Sequence, residues 1–194
     1  FQDLIYYGDP GNPTQNINDA WAAIALRGRG ADDVGRFSID RFDFQDLYMQ
    51  AGPYFQNGDG ISTERGYSGT ITNGRIRNAS DACLDLKGDV SVNNVYVSGC
   101  YSGMKLWDDQ DHGLVEIGPN RSFNVIGKGT AGSIRQIYIE TLILSGDPDM
   151  PMFRAEDGIV HLTVGTLIAD PDQVLHAAGS FPGSSVTVNP RIDR

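Results

Sequence analysis

The sequence is poor in cysteine, in basic residues and in long apolar runs, and each shortage excludes something. Two cysteines, Cys83 and Cys100, cannot make a disulfide framework and form no CxxC pair. Two buried free thiols are the expected state, because a single bridge would require the fold to stack the two positions. Lys+Arg number 15 against 25 Asp+Glu, a net charge of −10. Nucleic acid and anionic membrane surfaces both call for a basic surface, so neither is an expected partner. No run approaches the ~20 apolar residues that cross a bilayer, and no basic-then-apolar signal peptide is visible in this segment. The segment opens Phe1-Gln2-Asp3 without an initiator Met, as an excerpt or a processed piece would. His112, His161 and His176 lack metal-ligand spacing, which argues against zinc. There is no Gly-Lys-Ser/Thr phosphate loop and no GxSxG elbow.

What the chain does hold is glycine and short β-rich segments. Its 194 residues are one domain's worth, and its 24 glycines fall between the segments instead of in one linker. One stretch predicts a helix, Asn16 to Arg27, with Ile17, Ala20, Trp21 and Ile24 on one face. Asn16 and Asp19 resemble a capping box there, and Gly28 supplies the stop. From Phe37 onward the pattern becomes short apolar alternations broken by polar corners. Ile71–Ile76 leads to Leu84-Asp85-Leu86, Val92–Val97 to Met104-Lys105-Leu106, Ile134–Ile139 to Met152-Phe153, and Val160–Val164 to Val174-Leu175. Val186-Thr187-Val188 starts a last row, and Phe37–Ile39 with Phe42–Phe44 form an earlier one.

Ile76 and Val97 are 21 residues apart, Val97 and Ile139 twice that, and Ile139, Val164 and Val188 follow at 25 and 24. A period of about 20–25 residues with several short strands per repeat marks a β-solenoid, in which each coil buries its inward side chains only by stacking. A leucine-rich horseshoe has a similar period, but the apolar sites here are mostly Val and Ile. An antiparallel sandwich would need hairpin turns, and only Thr72-Asn73-Gly74 offers one.

These rows, with Gly8-Asp9-Pro10-Gly11 ahead of Asn18-Asp19-Ala20-Trp21-Ala22-Ala23-Ile24, resemble the right-handed parallel β-helices of the pectate-lyase-like superfamily, phage tailspikes and capsule depolymerases included. The resemblance departs at Gln15–Asp19, where the usual Thr-Asp-Asp run is missing. It implies an all-β fold: a right-handed parallel β-helix of about six coils with a short N-terminal capping α-helix. Residues 1–36 would be the N-terminal lead-in and capping helix, and 37–194 the β-helix, a single structural domain. The resemblance further implies a homo-oligomer, a trimer by analogy, on the surface of a virion or particle or otherwise extracellular, in contact with other particle proteins.

Three sets of residues are candidates for chemistry. Asp108, Asp109, Asp111 and His112 concentrate carboxylates and an imidazole at one corner, the groups that glycan cleavage uses as acid, base or nucleophile. Lys105 or Arg135 would neutralise a uronate in a lyase. A solvated acidic corner is the plainer reading of that loop. Trp107, Tyr96, Tyr101 and Tyr138 are aromatics able to stack on sugar rings, or equally to meet a neighbouring subunit; Tyr96 and Tyr138 are expected at one outward position two coils apart. Asp147, Asp149, Asp170 and Asp172 repeat Asp-Pro-Asp one coil apart, a possible Ca²⁺ site if the coils stack in register, and otherwise turn chemistry. Asn73 and Asn94, 21 apart, are expected to stack as a structural ladder. The leading expectation is a non-enzymatic or weakly enzymatic spike or fibre module that binds host cell-surface polysaccharide and requires no cofactor. A polysaccharide lyase or glycosidase of the same fold, and a purely structural connector, are the alternatives.

Overall fold

A computed structural model describes residues 1–16, 21–28, 33–52 and 57–194. Among them the chain forms strands β1 (Gln2–Tyr7), β2 (Ala22–Leu26), β3 (Gly35–Leu47), β4 (Asp59–Thr63), β5 (Tyr67–Ala79), β6 (Ala82–Leu86), β7 (Asp89–Ser98), β8 (Ser102–Leu106), β9 (Gln110–Ile117), β10 (Phe123–Lys128), β11 (Ile134–Leu144), β12 (Phe153–Glu156), β13 (Ile159–Ala169), β14 (Ser185–Val188) and β15 (Arg191–Asp193). The odd-numbered strands together with β14 make one parallel sheet in the order β1-β3-β5-β7-β9-β11-β13-β14, with β15 also on β13. Even-numbered strands make the other, β2 to β12, again in chain order. The chain therefore winds back and forth between two parallel sheets, a solenoid-like path in which each rung lies on the one before.

Side chains stack in columns along that path. Ile61, Leu84, Met104, Val125 and Phe153 pair in succession across the short sheet, all fully buried. Phe44, Ile76, Val97, Ile117 and Leu144 pair in the same way across the long sheet, all buried. Column members differ in size where they must. A Cβ on Gly74 would lie 2.3 Å from the ring of its partner Phe42, so one rung's small residue makes room for the previous rung's large one.

Two expectations are corrected here. No helix is found among the described residues: Ala22–Leu26 is β2, paired in parallel with β4, while 17–20 of the expected helix lie outside the described residues. A five-residue apolar strand and a short apolar helix stripe look alike in sequence, and here the sheet edge of β4 decided between them. The cysteines are not free thiols but bridged, with Cα atoms 5.6 Å apart, linking β6 to the turn that leads from β7 to β8. The fold stacks them because Cys83 stands in one rung and Cys100 at the corner that begins the next.

The repeat is also less even than the sequence spacing suggests. Val97 pairs with Ile117, and Ile117 with Leu144, not with Ile139. The loop Gly129–Ser133 lengthens that rung relative to the corner Trp107–Asp109, and so shifts the register. In consequence Tyr96 pairs with Glu116, whereas Tyr138 pairs with Asp111 and Thr163. The two tyrosines do not share a column.

Candidate functional site

The site is built on a bend. The backbone of Asp3, Arg41, Asn73 and Asn94, one on each of four successive long strands, takes left-handed φ between 54° and 56°. This conformation strains most L-residues but suits Asn and Asp, whose side chains bond locally. Here they bond to one another: Asn94 Nδ2 donates to Asn73 Oδ1 (2.8 Å), and Asn73 Nδ2 donates to Asp40 Oδ1 (2.7 Å). Arg41 closes the ladder by donating from Nε to Asp3 Oδ1 (2.7 Å) and from NH2 to Asp3 Oδ2 (2.9 Å). The expected Asn ladder is thus present, and it does more than hold a corner. A second left-handed column, Asp46, Asn78 and Gly99, turns the chain again toward the short sheet, with Asn78 donating to Asp46 Oδ1 (2.8 Å).

Beside the first bend runs a groove of about 530 Å³ along the stacking direction, spanning β1, β3, β5, β7 and β9. Its volume lies within the range of small-ligand sites. The outward side chains after the bend line it: Ile5, Asp43, Arg75, Tyr96 and Glu116, one per rung, with Asn73 and Asn94 along the edge. Asp43 is held by several donors. Arg75 and Arg77 reach it at 2.8 and 3.0 Å, and the Tyr7 hydroxyl donates at 3.0 Å. Burial pushes its carboxyl up, but the hydrogen bonds from Arg77 and Tyr7 and the arginine charges more than offset this, leaving it below the usual range. Tyr7, donating to that carboxylate, is pushed up. Tyr96 leans over the next rung: a Cβ on Gly118 would lie 2.5 Å from its hydroxyl, so only glycine leaves room for the ring there.

Of the residues singled out from sequence as candidates for chemistry, only Tyr96 lies in the groove, beside the expected ladder residues Asn73 and Asn94. The set Asp108, Asp109, Asp111 and His112 is dispersed. Asp108 pairs with Arg135 (2.9 Å), and Asp109 accepts from the backbone N–H of Gln136 (2.7 Å), so both pin this corner to the start of β11. Asp111 faces solvent while His112 points into the core, as alternate residues of a strand must. His112 Nδ1 accepts the backbone N–H of Val92 (3.2 Å), and burial lowers its pKa to about 4. Between β7 and β9 the paired register covers only Val95–Val97 with Val115–Ile117, and the imidazole supplies the acceptor that the ladder lacks at Val92. Gln110 plays the complementary part, its Nε2 donating to the carbonyls of Leu86 and Gly88.

Trp107 stands on the short sheet with Nε1 donating to Asp85 (2.6 Å) and the ammonium groups of Lys87 and Lys128 at 5.7 and 5.3 Å from its ring. Glu64 and Glu156 pair with those lysines, so the column reads acid, base, aromatic, base, acid. The ring is thus flanked by two of the protein's own cations, each held by an acid. Lys105 is bound by both oxygens of Asp81. Tyr101 and Tyr138 are exposed at 47% and 39% but lie outside the groove. In the two Asp-Pro-Asp corners, Asp147 and Asp170 each accept the backbone N–H two residues on, at 3.0 and 2.9 Å, which is the turn chemistry. No group of three or more His, Cys, Asp or Glu able to hold a metal forms among the described residues.

The groove residues Asp43, Arg75 and Glu116 escaped sequence reasoning because none belongs to a motif. The usable signal was the pair of stacked asparagines, which marks the bend beside which the groove forms. Comparison of the chain with protein-family models, with curated proteins and with solved structures found no match.

Proposed function

We propose that the chain is a glycan-recognising module of right-handed parallel β-helix type, part of a phage or phage-like spike or fibre, that binds host cell-surface polysaccharide through the groove along β1 to β9. The observation that carries the reading is the groove itself. It runs for about 19 Å at ~4.8 Å per rung, and it presents a tyrosine, arginine, carboxylates and amides at successive steps. Aromatic faces for sugar rings and fixed polar groups for hydroxyls are the means by which a protein holds a glycan.

The groove's carboxylates favour binding over cleavage. Asp43 and Glu116 stand three rungs apart, about 14 Å, whereas glycosidase pairs lie about 5–9.5 Å apart. Asp43 is also committed to two arginines and held ionised, a poor proton donor. The buried disulfide supports an oxidising, extracellular or particle-surface setting. The exposed β1, with Phe1, Ile5, Tyr6 and Tyr7 on its surface, supports assembly with further copies or other particle proteins, a homotrimer in this reading.

The test is incubation of the protein with host capsule or lipopolysaccharide, following retention, new reducing ends and absorbance from unsaturated sugars. Retention without cleavage, lost in Tyr96→Ala and Arg75→Ala, is the expected result. New reducing ends or unsaturated products would replace this reading with a depolymerase. No retention on any host surface would leave a structural connector.

A further inference from the structure

We infer that the groove selects a glycan bearing a protonated amino group, seated between the Glu116 carboxylate and the Tyr96 ring; this rests on the glycan reading above and names its ligand class. The first argument is charge balance within the groove. Arg41 is engaged by Asp3 and Asp40, and Asp43 by Arg75, Arg77 and Tyr7. Glu116 is the lining carboxylate that has no ion-pair or hydrogen-bond partner among the described residues. It is only partly exposed, so its charge is screened less than that of a surface acid.

The second argument is what stands beside it. Glu116 pairs in register with Tyr96 on one side and with Ile143 on the other, so no cation of the protein neutralises it from either neighbouring rung. Tyr96 leans from its own rung across that of Glu116, its hydroxyl resting where Gly118 has no side chain. A carboxylate with an aromatic ring alongside is a receptor for ammonium: the acid supplies charge and a hydrogen-bond acceptor, and the ring supplies an electron-rich face that a cation favours. An N-acetylated sugar offers neither charge nor a matching donor set, and a uronate would be repelled. The net charge of −10 acts in the same direction at long range.

The inference is tested by calorimetry on the whole chain with matched tetrasaccharides: fully deacetylated β-1,4-glucosamine, its N-acetylated counterpart and cellotetraose, with tetralysine as a non-sugar cation. The deacetylated tetramer is expected to bind about tenfold more tightly than the other two sugars, a difference of about 1.4 kcal/mol. The isosteric Glu116→Gln should abolish that preference, bringing the deacetylated tetramer to the affinity of the neutral sugars, and Tyr96→Ala should weaken all three sugars. Equal affinity for the three sugars, with Tyr96→Ala still damaging, overturns the amine assignment and leaves glycan recognition standing. Tetralysine binding as well as the amino sugar would show a bare charge trap and overturns it too. If no member of a wider oligosaccharide panel binds, glycan recognition falls and the amine assignment with it.

Discussion

At His112 the chain places an imidazole where the core would otherwise be aliphatic, and the pH dependence of folding follows from it. The ring stays neutral in the folded protein down to about pH 4, while in the unfolded chain it takes a proton below about 6.5. The unfolded state therefore binds the extra proton as pH falls through that window, and His112 removes on the order of 3 kcal/mol of stability between pH 6.5 and 4. His112→Leu should be less stable at pH 7 by about 1–2 kcal/mol, because Val92 loses its acceptor. It should also lose less stability on acidification, which urea denaturation at pH 7, 5.5 and 4 would measure. Asp59 works in the opposite sense. Burial, with Asp85 and Asp81 nearby, raises its pKa well above the usual range. Folding thus disfavours its charge, and stability increases as pH falls through the raised value toward the ordinary carboxylate range. Asp59→Asn keeps the acceptor for the Ala82 N–H and should raise the urea midpoint at pH 7, with the gain vanishing in acid.

Among the elements, the bend ladder is the one whose energetics can be separated by substitution. Asn73→Ala removes two side-chain hydrogen bonds and leaves a Cβ-bearing residue without compensation at φ 56°. A loss of about 2–3 kcal/mol is expected, against about 1 kcal/mol for Asn73→Gly, which keeps the conformation and loses only the bonds. Equal losses in chemical denaturation would mean that the left-handed backbone contributes nothing. The Cys83–Cys100 bridge closes 17 residues and should contribute about 3 kcal/mol, read as the difference between oxidised and Cys83→Ser/Cys100→Ser protein. Most strands could be read from the sequence because their alternation is regular and their breaks fall at Gly, Asn and Asp. Ala22–Leu26 could not, since its partner strand β4 lies 37 residues away and local spacing is silent about it. The bridge was hidden for a similar reason: whether two cysteines meet depends on how a turn stacks, not on their separation in sequence.

For the whole molecule, the winding and the columns were legible, while the site was not. Equal spacing identified Ile76 with Val97 and Ile139 with Val164 correctly, then failed across Gly129–Ser133, because counting cannot see where a loop absorbs residues. That single slip put Tyr96 and Tyr138 in one imagined column and concealed that Tyr96 faces Glu116. The groove itself is a product of stacking: its lining residues lie up to 38 residues apart between consecutive rungs, as Leu4 and Phe42 do. If the chain forms the proposed trimer, light scattering should give a mass three times its 21.1 kDa; a monomer at all concentrations would remove the trimer from the proposal.

The offset between paired residues ranges from 20, Val95 to Val115, to 38, Leu4 to Phe42, yet the strands remain in register throughout. Length is taken up entirely at the corners. The scaffold is therefore permissive to insertion: a corner can lengthen, shorten or be replaced by an unrelated segment while the inter-strand spacing, and every side chain mounted on it, stays where it was. Diversification of the rim and preservation of the floor become independent processes, and a new specificity can be grafted at the corners without rebuilding the sheet.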